Sequence, residues 1–170
     1  MKIIEALKKV KDLQKKAEDL RSKISKHSAH LSTEKPVYEN QKQQIGEWLQ
    51  AHSDLLKEIL RLRICIQKTN LATSVTIELG KESVTKTIAE WVHRRRDLAT
   101  QERAAWAGLT DRGLQETKVR NSQTSEITEI TIVRYYDPAY RDNLVSVFEF
   151  EPSIIDAKLE VINAVTDLLE

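Results

Sequence analysis

A chain of 170 residues with a formal net charge of +1, 40% apolar and 31% charged residues suits one domain or one elongated unit. Four Gly, three Pro, two Phe, three Trp and four Tyr leave little turn chemistry and few large core residues, which excludes a sandwich or barrel and favours few, long helices. The near-neutral total hides an asymmetry: residues 1–68 carry 15 Lys and Arg against 9 Asp and Glu, and residues 121–170 carry 3 against 10. Such a pattern predicts acidic-on-basic packing, within one subunit or between neighbours, and secondarily a basic face for nucleic acid.

Apolar residues recur at alternating spacings of three and four along two stretches. The first runs through Ile3, Ala6, Val10, Leu13, Ala17, Leu20, Ile24, His27 and Leu31; the second through Ile45, Trp48, His52, Leu55, Ile59, Leu62, Ile66, Thr69 and Thr73. Each makes a rod roughly 40 Å long, and the break between them at Ser32–Pro36 leaves room for a reversal. Residues 1–73 are therefore expected to form a long antiparallel helical hairpin of coiled-coil type. Leu49, Leu56, Leu60 and Ile64 widen the second stripe beyond a two-helix seam, so the second helix needs a further partner. Cys65, the single cysteine, reads as a small core residue of a reducing compartment. The N-terminus enters the helical pattern directly, without the apolar region of a leader. No apolar run reaches the roughly 18 residues of a membrane span, and a cytoplasmic protein is expected.

Residues 74–109 read as a short strand, Val75, Ile77 and Leu79 alternating up to Gly80, followed by a third helix capped at Ser83 or Thr85. Its seam positions are Val84, Ile88, Trp91, Arg95, Leu98, Glu102, Ala105 and Leu109. The charged pair Arg95 and Glu102 is expected to specify partner and register. Residues 110–126 are polar and aperiodic, an exposed loop. Ile127–Tyr136 is rich in β-branched residues and reads as a strand, with Ile130, Ile132 and Val133 available to pair with the first strand or with another chain. Asp137 and Pro138 start a last helix, with a kink or fresh start near Pro152; Val145–Phe150 fits helix better than the alternative strand.

Chemistry is sparse. The four glycines match neither phosphate-loop nor dinucleotide spacing, the histidines His27, His30, His52 and His93 show no metal-site spacing, and no nucleophile has a base beside it. No enzyme and no cofactor is expected. The outlier is the run His93, Arg94, Arg95 and Arg96, backed by Arg61, Arg63 and Arg103, with Trp91 and Trp106 nearby for stacking. Among these, Arg61, Arg63, Arg94 and Arg96 are the candidate nucleic-acid contacts.

Several stretches resemble the bacterial DIP1984 family of small helical proteins, sometimes labelled septicolysin-like. Ile64–Thr73 is similar to that family's "RIN-x-TN-x-AT" signature, Gly80–Leu98 to its "G-x-TLT-x-A-x-x-RRD-x-L" and Ile127–Val133 to its "EIKFVR" piece. Asp156–Leu168 resembles its closing "D-x-x-I-x-x-LNWTTEL", with Asn163 matching and Ala164 in place of the tryptophan. The resemblance implies the helical fold, with Thr69, Asn70 and Asn163 as polar groups closing helix ends, and brings no activity with it. No membrane-active stretch accompanies the cytolysin-like label.

Together these features predict a mainly α fold with a minor two-strand β element. They point to a non-enzymatic structural or interaction protein, forming a homo-oligomer or docking on a larger assembly such as a phage virion assembled in the cytoplasm. The expected interaction seam comprises Leu55, Ile59, Leu62, Ile66, Ile88, Trp91, Arg95, Leu98 and Glu102. The alternative is a nucleic-acid-binding regulator using the basic cluster.

Overall fold

The computed structural model describes residues 1–120, 122–123 and 127–169. They form a mainly α fold with minor β, as the periodicity predicts. The chain folds into two compact units that interleave in sequence. One comprises Met1–Val75, Thr87–Ala89 and Lys158–Glu170, the other Thr76–Lys86 and Glu90–Ala157.

The first unit is built on the hairpin of α1 (Ile3–His27) and α2 (Gln41–Ala72). At the start of α1 the Glu5 carboxylate accepts the Lys2 N–H at 2.8 Å; at the start of α2 Asn40 accepts the Gln43 N–H at 3.1 Å. Each bond satisfies a donor that the helix leaves orphaned. Ala6, Val10, Ile59, Leu62 and Ile66 form the core, with Leu13 and Leu168 packed against it. Burying a side chain such as Leu62, wholly inaccessible here, contributes about 2–3 kcal/mol. The ion pair Lys9–Glu58, 3.0 Å, links the helices. α1 stops at His27, one turn short of the Leu31 that the stripe predicts, and Leu31 is exposed. The reason lies in the rings: His27 packs against Tyr38 and Trp48, with centroids 5.6 and 5.7 Å away, and Tyr38 reaches this cluster from the connecting segment. Extended backbone near the C-terminus closes the other end. Ile3 donates to Thr166 O and Leu168 to Met1 O, while the Leu169 N–H donates to the buried Thr69 hydroxyl at 2.9 Å.

In the second unit the sequence pattern needs two corrections. Strand β1 (Ser74–Leu79) does not stand alone but turns at Gly80–Lys81 into β2 (Glu82–Thr87), where Ser83 and Thr85 were expected to cap a helix. Gly80 has φ +63° and Lys81 does not share it, the backbone of a tight hairpin turn that favours glycine first. Thr76 and Thr85 hydroxyls meet across the hairpin at 2.7 Å. The helix begins only at α3 (Ile88–His93), passes through a π-helical segment (Arg94–Leu98) and continues as α4 (Ala99–Ala107).

The predicted loop 110–126 contains β3 (Thr117–Arg120), which pairs antiparallel with β4 (Ile127–Ile130), Thr117 opposite Ile130; residues 121 and 124–126 lie outside the described residues. The predicted strand therefore ends at Ile130. Ile132 and Val133 are not in it, because the chain leaves the ladder there and the Ile132 N–H turns to the Glu116 carboxylate at 3.4 Å. The last helix, α5 (Pro138–Val165), runs through Pro152 without a fresh start, and Val145–Phe150 are helical. Proline removes the hydrogen bond that the Phe148 carbonyl would otherwise accept; the Ser153 hydroxyl donates to the nearby Phe150 carbonyl at 2.8 Å. No helix among the described residues is long and apolar enough to cross a membrane.

Candidate functional site

The π-helical segment organises the second unit. The Ala99 N–H donates to Arg94 O, five residues back, so the helix carries one extra residue per turn at this point. An inserted residue advances every later side chain by one position. Trp91 and Ala99 are fully buried at a separation of eight, where an undisturbed seam repeats at seven. From there on the predicted seam leaves the buried face: Leu98 is 45% exposed, Arg95 is exposed, and Arg95 pairs with Asp156 on α5.

Arg94 takes the inward position that the spacing assigned to Arg95. Its Nε and Nη2 donate to the two oxygens of Glu151, at 2.5 and 3.0 Å, and its Nη1 pairs with Glu102. Glu151 is fully buried, and Arg94 also lies 5.4 Å from the Phe148 ring. The bidentate bond to Glu151, then Glu102, holds the guanidinium above its already high ordinary pKa. Arg94 is thus a fixed cation with both edges of its fork engaged.

Around this group opens a cleft of about 860 Å³. Glu82, Val84 and Lys86 face it from β2, consistent with the two-residue repeat of a strand; Tyr140, Asn143, Leu144, Val147 and Phe148 face it from α5. Lys86 Nζ stands 6.0 Å over the Trp91 ring. A second clamp in the same unit joins Asp111 to Arg134 at 2.7 and 2.5 Å and to the Tyr136 hydroxyl at 3.0 Å.

The other sequence-derived sites fall as follows. Ile59, Leu62 and Ile66 are buried, Leu55 partly so, in the chain's own hairpin, which corrects their placement in a seam shared with a partner. Ile88 and Trp91 are also buried. Ile130 is paired with Thr117, and Val133 is exposed. Arg61 bonds Glu58 at 2.8 Å, Arg103 pairs with Glu149 at 3.3 Å, and Arg63 and Arg96 are exposed. The arginine run is therefore largely spent on carboxylates. Glu151 and Lys86 went unnoticed in the sequence, where one is masked by the adjacent Pro152 and the other by the missed strand. Among the described residues no cluster of three or more His, Cys, Asp or Glu could hold a metal ion.

A helical hairpin in one unit and a cleft between a β-hairpin and helices in the other define a mainly α protein class with minor β. The chain belongs to a family of unknown function (DUF6847), whose match covers residues 10–168. Its fold is similar to that in the "crystal structure of a functionally unknown conserved protein from Corynebacterium diphtheriae", with a TM-score of 0.59 over 99% of both chains and 21% identity. At that identity the likeness is one of fold. No curated protein matches the chain.

Proposed function

We propose that the protein is a non-enzymatic assembly module, a structural or interaction protein whose exposed apolar faces are covered by further copies of itself. The observation that carries this reading is the outer face of α2. Leu49, Leu56, Leu60, Ile64 and Leu71 are 43–66% exposed, and at 100° per residue they fall within an arc of roughly 80° along about 33 Å of helix. A continuous apolar stripe of that length is atypical of a monomer's surface. Lys57, Arg61, Arg63 and Lys68 flank it, and a second copy brings the acidic complement in its residues 121–170. The β3–β4 ribbon supports the same reading: all eight of its residues are exposed, and an isolated two-stranded ribbon is marginal in water.

The setting we propose is cytoplasmic, extending to a particle such as a phage virion assembled there. The DIP1984 resemblance belongs to this reading, supported by the Corynebacterium source of the fold neighbour; the septicolysin-like label is not carried over.

Light scattering with small-angle scattering, at low and high salt, tests it. A defined oligomer that persists in salt is expected, and the double variant Leu56→Glu, Leu60→Glu should fall to monomer mass with an unchanged circular dichroism spectrum. A wild-type monomer at every concentration overturns the reading. Salt-sensitive retention of nucleic acid by such a monomer, lost on charge reversal of Arg63 and Arg96, transfers it to the nucleic-acid alternative.

A further inference from the structure

The cleft beside Arg94 has a composition that assembly does not use. Its volume of about 860 Å³ lies in the range of small-molecule sites, and its walls combine aliphatic and aromatic side chains with six charged ones, Lys81, Glu82, Lys86, Arg94, Glu102 and Glu151. Most of the charge within it is already matched. Arg94 takes both buried Glu151 oxygens and one oxygen of Glu102, so Glu151 is matched and the remaining negative charge of the triad sits on Glu102, 42% exposed to solvent. The aromatic faces are occupied too, Phe148 by Arg94 and Trp91 by Lys86.

Lys86 differs. It is half-buried, it projects inward from β2, and among the described residues no carboxylate lies within ion-pair distance of its ammonium. Its contact with the Trp91 face compensates only part of the desolvation cost of an ammonium group. Glu82, a further acid of the cleft, is four residues away on the same strand face, about 13 Å along the extended backbone, and the exposed Lys81 lines the cleft next to it. Lys86 is therefore a half-buried cation without a carboxylate partner in a cleft that Val84, Leu144, Val147 and Phe148 also line.

We propose that this cleft binds a small amphipathic organic anion, its carboxylate on the Lys86 ammonium and its apolar body along Val84, Leu144 and Val147. Asn143 and Tyr140 also line the cleft and carry neutral polar groups suited to the head group. The π-helical segment turns Arg94 inward, where it engages Glu151 and Glu102, and neither acid pairs with Lys86.

Decanoate, titrated calorimetrically into the full-length protein below its micelle concentration, is the probe, with decanol and decylamine as comparisons. Saturable 1:1 binding of decanoate is expected, at least tenfold tighter than either comparison compound, the loss expected when a charge-assisted hydrogen bond is removed. Lys86→Ala should weaken decanoate by a similar factor while leaving decanol unchanged, and Val147→Trp, which fills the cleft, should abolish both. Equal binding of decanoate and decanol, no saturable binding of decanoate, or decanoate binding indifferent to both substitutions overturns the proposal. The comparison of head groups uses the unmodified protein, so it decides even if a variant misfolds. Retention of binding by the Leu56→Glu, Leu60→Glu variant is expected, since no α2 residue lines the cleft; loss of binding there assigns the ligand to the α2 face and overturns the proposal.

Discussion

Arg94 holds two carboxylates of unequal standing. Glu151 is wholly inaccessible, while Glu102 keeps 42% of its side chain exposed and can recover much of its hydration if the pair opens. Removing a buried partner costs far more than removing an exposed one, because the remaining charge stays desolvated and unpaired. Glu151→Ala is therefore expected to cost about 3 kcal/mol, and Glu102→Ala under about 1 kcal/mol, read from urea midpoints. The pair itself contributes less than that first number suggests. Replacing both members, Arg94→Met with Glu151→Leu, should recover more than half of the loss, as apolar groups of similar volume need no partner. A double variant no more stable than Glu151→Ala alone would show that the cost is in packing rather than in charge.

The π-helical segment is the element at which reading the sequence and reading the structure part company. Spacings of three and four assume 3.6 residues per turn throughout, and nothing in Arg94–Leu98 announces an extra residue. The pattern's own symptom was there: Arg95 and Glu102 fell on seam positions, and charges on a seam are what a phase error of one residue produces. The two phases make opposite predictions for adjacent residues. Leu98, 45% exposed, should tolerate Ser within about 0.5 kcal/mol, whereas Ala99, fully buried, should lose about 1–3 kcal/mol on replacement by Leu. Equal costs, or the reverse order, measured by chemical denaturation, would restore the uninterrupted helix. By contrast α1 and α2 were legible because their stripes are unbroken over six turns or more, and the buried residues Ala6, Val10, Ile59, Leu62 and Ile66 are all seam positions. The β1–β2 hairpin was half legible. Val75, Ile77 and Leu79 show their alternation, but β2 has a single aliphatic residue, Val84, and Ser83 and Thr85 look like helix caps.

Across the whole molecule, what escaped the sequence is pairing between distant residues. Arg94 and Glu151 are 57 positions apart, and their meeting depends on α5 passing through Pro152 unbroken, which local propensity argues against. The same dispersed pairing sets the response to acid. Glu58 is pulled down to about 2 by its hydrogen bonds from Arg61 and then Lys9. Asp111 is lowered chiefly by Arg134, Asp167 by Lys2, and Asp54 by Gln50 and then Lys57. In each case the folded carboxyl has the lower pKa, so the unfolded chain binds more protons as the pH falls. The stability these groups contribute is complete above the unfolded values of 3.8 to 4.5 and drains away as the pH falls through the folded ones. Urea midpoints are thus expected to hold steady from neutrality to about pH 5 and to decline between about pH 5 and 2. Glu58 is a partly exposed group bridging two helices, so Glu58→Gln separates its share from the rest. The variant should be less stable than wild type at pH 7 and converge on it near pH 2, since the wild-type carboxyl is then becoming neutral. A difference that stays constant across that range would assign the effect of Gln to packing and leave the acid decline to the other three carboxylates.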